Sequence, residues 1–307
     1  MAESASQHDN SPLLPTIKLY VRYLRLERNL SPNTIEAYRN DLAHLEAFMM
    51  RNDLKLENVT LEQLHTFAAS LHEYGITPRS QARVLSGVRS FFRFLVLDGV
   101  VESDPTELLE WPSLPEHLPV VLTLEEIDRI EDSIDLSKAE GARNRAIIEV
   151  LFSCGLRVSE LVNMKLSDLY LEDRVLLVRG KGNKERLVPV SNKAIADLKR
   201  WFFDRNLMKI KPCEDDYVFL NRRGAHLTRT MILIMVKRQA EEAGIKKTIS
   251  PHTFRHSFAT ALLQGGADLR SIQAMLGHEK IDTTLVYTHI SNEQLRKAIL
   301  EHHPRNI

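Results

Sequence analysis

The chain has 307 residues, which at about 150 residues per domain points to two domains, and its 43% hydrophobic and 27% charged side chains exclude global disorder. Basic and acidic residues balance at 41 each, with 11 basic against 15 acidic up to residue 113 and 30 against 26 beyond it. Whole-chain charge therefore gives no support to a nucleic-acid partner, and any contact with DNA must come from local basic faces. The longest apolar run, Met231–Val236, is too short to cross a bilayer. The first ten residues lack the basic region and apolar core of a secretory signal. Two cysteines, Cys154 and Cys213, make no disulfide framework, so a reducing cytoplasm and no membrane partner are expected.

In chain order, residues 1–14 read as a disordered lead-in. A helical pattern follows over about 16–28. Ser31-Pro32 supplies an N-cap and a proline at the first helical position, opening a helix to about residue 50. Thr60-Leu-Glu-Gln63 is a capping box whose helix ends before Gly75. Thr77-Pro78 opens a fourth helix, which runs to 98 and stops at Gly99. Residues 101–122 hold Pro105, Pro112, Pro115 and Pro119, a density that prevents helix and reads as a linker. Thr123-Leu-Glu-Glu126 restarts helical structure. Val- and Leu-rich runs at 174–179 and 184–190 flank Gly180-Lys-Gly-Asn183 and read as a β-hairpin. Helices follow at about 191–205, 228–243, 251–264, 268–276 and 291–301. The expected fold is mainly α (α+β). A helical bundle over 15–100 precedes a mostly helical domain with a small antiparallel sheet over 123–307.

Four places carry candidate chemistry: Gly155-Leu-Arg157, where one helix ends and another begins; Lys181 at the hairpin tip; His252-Thr-Phe-Arg255-His256 after Ser250-Pro251; and Gly277-His278, with Tyr287 nine residues on. Taken singly, each fits an ordinary surface or capping role. A zinc hydrolase would place Glu directly after the first histidine of an i, i+4 pair, and here that residue is Thr253, so no metal is expected. Phosphoryl transfer fits better. Two arginines, Arg157 and Arg255, suit the non-bridging oxygens of a phosphodiester, a lysine can protonate a leaving alkoxide, and a tyrosine hydroxyl can attack phosphorus. Such a site needs no cofactor.

Arg157, Lys181, His252-x-x-Arg255, His278 and Tyr287 stand in the order of the tyrosine recombinases, the phage integrase family. The chain resembles that family from about residue 16 onward, its Xer branch most of all. Ser31-Pro-Asn-Thr-Ile-Glu-Ala-Tyr38 looks like the family's N-terminal DNA-binding segment and Gly180-Lys-Gly-Asn-Lys-Glu-Arg186 like its catalytic hairpin. Phe254 stands where Leu is more usual. The resemblance implies that Tyr287 attacks the scissile phosphate to give a 3′-phosphotyrosine and a free 5′-hydroxyl. It implies that Lys181 protonates the leaving oxygen and that Arg157 and Arg255 hold the non-bridging oxygens. His252 would help take the tyrosine proton and His278 would hydrogen-bond the phosphate. Glu160 would support the site from behind, an exposed helix glutamate being the equal alternative.

On the 78–98 helix, Arg79, Arg83, Arg89 and Arg93 fall at about 0°, 40°, −80° and −40° at 100° per residue, a basic stripe of about 120°. The resemblance turns this stripe toward DNA and adds Ser31, Asn33, Thr34, Tyr38 and Arg39 as contact candidates. It implies a duplex recombination site as partner, with a second, XerC-like recombinase in a tetrameric synapse and a division-linked, FtsK-like DNA translocase. The apolar stripe of the last helix is expected to dock on a neighbouring recombinase. Chromosome dimer resolution is the leading function. An integrase or resolvase of a mobile element, a catalytically silent DNA-binding protein and a type IB topoisomerase remain alternatives.

Overall fold

A computed structural model describes residues 13–113, 120–180, 184–277 and 292–305. It divides into two compact units, at 1–117 and 118–307.

The N-terminal unit is a four-helix bundle: α1 (Leu14–Leu26), α2 (Pro32–Arg51), α3 (Leu61–Glu73) and α4 (Pro78–Leu97). The caps read from the sequence set the helix starts. Ser31 Oγ accepts from Thr34 N–H at 3.3 Å, Thr60 and Gln63 form the capping box, and Thr77 Oγ1 accepts from Ser80 N–H at 3.4 Å. α1 begins at Leu14, and Leu13 is already buried, so the chain packs from two residues earlier than the pattern indicates. α2 and α4 cross closely at Gly87, where a Cβ would lie 2.9 Å from that of Asp41. The interior of the bundle is aromatic, with Tyr20, Phe67, Phe91 and Phe92 fully buried. The segment expected as linker begins as part of this bundle: Leu109 joins its core and Thr106 is buried. The prolines end helix, and the apolar residues between them still find the bundle surface.

The C-terminal unit is organised around α6 (Gly141–Cys154), whose residues are nearly all buried. A helix without a polar face belongs in the middle of a domain. α5 (Leu124–Asp132), α8 (Asn192–Asn206) and α10 (Pro251–Gln264) pack against it. α7 (Val158–Val162) and α9 (Arg229–Glu242) pack on each other. A three-stranded antiparallel sheet lies in the order β1 (Leu169–Tyr170), β2 (Val175–Arg179), β3 (Glu185–Pro189). The hairpin was legible in the sequence; β1, two residues long, was not. Within β2, Leu176 and Val178 are buried and Arg179 is exposed, and the register sets Val178 opposite Arg186.

α11 (Leu269–Leu276) and α12 (Asn292–His302) complete the unit. The docking of the last helix on a neighbour, expected above, concerns an assembly of several chains; within the single chain its face packs at home. Ala298 and Ile299 are buried on their own unit with Phe258, Leu262, Ile272 and Met275, because that face meets an apolar surface between α10 and α11. The tail that follows is clamped. The His303 ring is buried 5.0 Å from Phe152 and 5.6 Å from Phe258, and burial pushes its pKa down to about 3. Arg305 reaches Asp128 at 2.5 Å, Glu149 at 3.0 Å and Glu131 at 3.3 Å. Burial, reinforced by Glu131, pushes the Glu149 carboxyl up to about 8. Lys193 and Arg305 both reach Glu131 and Glu149 and offset the cost of their burial.

Candidate active site

Gly155 ends α6 in the left-handed region, at φ 57°, and a Cβ there would meet the Phe258 ring at 2.4 Å. Only glycine fits. The turn it makes sets Arg157 at the N-cap of α7. Arginine has no oxygen to cap a helix, so the acid three residues on does the work. Glu160 accepts from Arg157 N–H at 2.8 Å and from Arg157 Nη1 at 2.9 Å. Its carboxylate also receives both ends of the Arg186 fork, at 2.8 and 2.9 Å. The Glu160 side chain is 3% exposed. Burial alone would raise its pKa, but the bonds from Arg186 and Arg157 hold it below the usual carboxylate range. Glu160 is thus a buried, doubly held acid, and the exposed-glutamate alternative falls.

Arg255 comes from the first turns of α10, which opens at Pro251 with Thr253 Oγ1 accepting from Ser250 N–H at 3.1 Å. It is buried and donates to the Gly155 carbonyl at 2.7 Å and to the Leu276 carbonyl. Burial, together with the nearby Arg157, lowers its pKa to about 10, so it stays a cation at neutral pH. Arg157 Nη2 donates to the Gly277 carbonyl at 2.9 Å. The two guanidinium groups therefore rest on adjacent carbonyls. His252 is exposed at the start of the same helix, three residues before Arg255, and His256 is exposed one turn on. Phe254 is wholly buried in the core, a packing position. Arg157, Glu160 and Arg255 are thus brought together. Lys181, His278 and Tyr287 lie outside the described residues.

Reading single residues from the sequence missed Arg186 as a member of this network, although the hairpin motif contains it. The hairpin motif itself was the signal in the sequence; the partners of Arg186 lie 26 and 89 positions away.

In the N-terminal unit, the arginines of α4 meet different fates. Arg79 is exposed. Arg93 is 71% exposed, at 4.0 Å from Asp104. Arg83 is ion-paired to buried Asp41 at 2.6 Å while its own side chain stays 53% exposed. Arg89 is turned into the protein. It donates to the Thr106 and Leu109 carbonyls, both at 2.9 Å, and its guanidinium lies 4.6 Å from the Trp111 ring centre. Its expected place in a solvent-facing stripe is corrected accordingly: the helical angle was right for the Cα, but the side chain folds over to satisfy buried carbonyls. At the start of α2, Asn33 and Arg39 are exposed. The Ser31 and Thr34 hydroxyls bond each other at 2.8 Å. The half-buried Tyr38 ring packs edge-on to Tyr20 at 6.3 Å, a core contact.

The described chain is thus a helical bundle and a mostly helical unit in which a buried carboxylate and three guanidinium groups lie beside a short hairpin. Residues 120–294 match the model of the phage integrase family and residues 17–99 that of the phage integrase N-terminal SAM-like domain. The chain belongs to the phage integrase family, the tyrosine recombinases. It is 40% identical to the tyrosine recombinase XerD of Pseudomonas putida over 95% of this chain and 98% of that protein. It is 38% identical to the tyrosine recombinase XerC of Oceanobacillus iheyensis over 94% of this chain and 96% of that protein. Among solved structures, the XerH recombinase bound to a palindromic difH substrate in a post-cleavage complex superposes with a TM-score of 0.69. It is 27% identical, over 92% of this chain and 83% of that one. Among the described residues, no helix is long and apolar enough to cross a membrane.

Proposed function

We propose that this recombinase cuts and rejoins duplex DNA at a specific site through a 3′-phosphotyrosine formed by Tyr287, and that it resolves chromosome dimers at cell division with a second, XerC-like recombinase in a tetrameric synapse. The observation that carries the chemistry is the seating of Arg157 and Arg255 on the adjacent carbonyls of Gly277 and Leu276. Two cations meet there at the point where the chain runs on to His278 and Tyr287. In this reading Arg157 and Arg255 hold the non-bridging oxygens as negative charge grows on them. The Tyr287 Oη–phosphorus bond forms as the bond from phosphorus to the 5′-oxygen breaks, with Lys181 giving that oxygen its proton. His252 takes up the tyrosine proton and His278 donates to the phosphate. The reverse attack by a 5′-hydroxyl restores the phosphodiester and needs no ATP. Glu160 keeps Arg157 aimed.

The exposed residues Arg79, Arg93, Asn33 and Arg39 are the DNA contacts this reading favours, with Arg83 shared between Asp41 and the duplex. Ser31 and Thr34 shape the helix start that presents them. The names XerD and XerC among relatives that match nearly end to end support the chromosomal role, and with it cytoplasmic action under an FtsK-like translocase. The decisive experiment incubates Tyr287→Phe with a nicked suicide substrate. The variant binds the site and yields no covalent adduct. An adduct formed by the phenylalanine variant overturns the assignment of the nucleophile.

A further inference from the structure

α11 ends in carbonyls that the helix itself leaves without partners. Three successive ones each accept from a different arginine. Met275 O takes Arg186 Nε at 2.8 Å, Leu276 O takes Arg255 Nη2, and Gly277 O takes Arg157 Nη2 at 2.9 Å. The three donors come from β3, α10 and the N-cap of α7. Cations belong at a helix C-terminus, and here they also fix where the chain leaves the helix. Arg186 differs from the other two. Its fork is closed on Glu160 at 2.8 and 2.9 Å, its Nε is on Met275, and its side chain is 12% exposed. Its donors are directed into the protein, so it acts through other groups. It also stands on the hairpin, one residue past Glu185 and opposite Val178, where Gly180 N–H donates to the Lys184 carbonyl at 2.8 Å.

We propose that Arg186 is a positioning residue for strand cleavage: a single guanidinium ties the hairpin bearing Lys181 to the carboxylate that aims Arg157 and to the end of α11 from which the chain continues to His278 and Tyr287. The proposal rests on the reading that Arg157 and Tyr287 act on the scissile phosphate. Its distinguishing mark is electrostatic. The charged groups facing the Glu160 carboxylate are Arg157 at the start of its helix, Arg186 from β3 and Arg255 from α10, with Lys165, Asp168 and Arg179 around the adjoining pocket. Removing Arg186 takes away the largest influence holding that carboxyl ionised against burial. The carboxyl then protonates at higher pH, and Arg157 loses its anchor as pH falls.

The test is single-turnover cleavage of a nicked suicide duplex by the full chain, as wild type, Arg186→Gln and Arg186→Lys, measured from pH 5.5 to 8.5 beside DNA affinity and thermal melting. Arg186→Gln is expected to bind DNA within about threefold of wild type, to cleave roughly 10–100-fold more slowly at neutral pH, and to lose activity toward pH 6 more steeply than wild type, whose own fall there follows protonation of His252. Arg186→Lys, with one ammonium in place of the fork, is expected to keep the acid-side profile of wild type and to recover part of the rate. Cleavage by Arg186→Gln within about threefold of wild type overturns the proposal. So does a slower rate with a pH profile parallel to wild type, the mark of a merely structural side chain. Where the glutamine variant melts too low to assay, the series is repeated below its melting temperature and the same outcomes decide. Tyr287→Phe is run alongside. An adduct from that variant strikes the nucleophile assignment, whereas its absence beside an unaffected Arg186→Gln strikes only the positioning role.

Discussion

The arginines of the two units obey different rules. On α4 of the N-terminal unit each works alone: Arg83 on Asp41, Arg89 on two carbonyls and Trp111, Arg79 and Arg93 outward. In the C-terminal unit Arg157 and Arg186 share one carboxylate, and with Arg255 they share one helix end. The first arrangement leaves side chains that can be changed one at a time. The second is a network in which each member holds the others, and effects within such networks do not add. A surface that meets a long, variable polymer suits independent cations. A site that must grip one phosphate suits preorganised ones.

The largest effect that would break this contrast is expected at Glu160. Glu160→Ala leaves Arg186 buried without its acid and should lower the stability of the C-terminal unit by about 3–5 kcal/mol, read by calorimetric melting, and abolish detectable cleavage. A loss below about 1 kcal/mol would show that the arginines are held by carbonyls alone. Next comes Arg89. Arg89→Ala is expected to destabilise the N-terminal unit by about 1–3 kcal/mol through two orphaned carbonyls while leaving the salt dependence of DNA binding unchanged. Arg79→Ala and Arg93→Ala should do the reverse, with stability within about 0.5 kcal/mol and each flattening the slope of log K against log salt by roughly 0.9. The same slope change for Arg89→Ala would return it to the DNA-facing set.

The smallest effect is expected at Asp41, whose carboxyl is raised to about 6 by burial against the pull of Arg83. Between the ordinary carboxylate value and that one, the native state holds a proton that the unfolded state lacks, so stability falls as pH rises through the window. Asp41→Asn should remove this slope and leave the bundle about 1 kcal/mol more stable at pH 7, a figure discounted because Arg83 is half in solvent. Denaturant melts at pH 4.5 and 7 measure it.

Legibility from sequence follows the range of the interaction. Helix starts at Ser31, Thr60, Thr77 and Thr123 are written within four residues, and all four appear as read. The hairpin is written in two short Val- and Leu-rich runs and the Gly-rich turn between them. Arg157 and Arg255 could be singled out because their motifs are local, although what holds them is not. Arg186 meets Glu160 across 26 positions and Met275 across 89, a pairing no periodicity records. Arg89 shows the same limit: a helical wheel gives the direction of a Cα and not the carbonyl, 17 or 20 residues on, to which a long side chain bends. The last helix carries a legible apolar stripe, but which surface would receive it was a tertiary question.

The clamp on Arg305 has a consequence in time. Its bond to Asp128 joins residues 177 positions apart, and contacts of such separation close late in folding. At a synthesis rate of about 5–20 residues per second, Asp128 leaves the ribosome roughly 9–35 s before Arg305 does. Lys193 follows Glu131 by 62 positions and is the first cation of the cluster to arrive. Until Arg305 is made, Glu131 and Glu149 face each other with that lysine alone. A nascent chain therefore carries Arg157 and Arg255 before the cluster of Asp128, Glu131 and Glu149 receives its second cation.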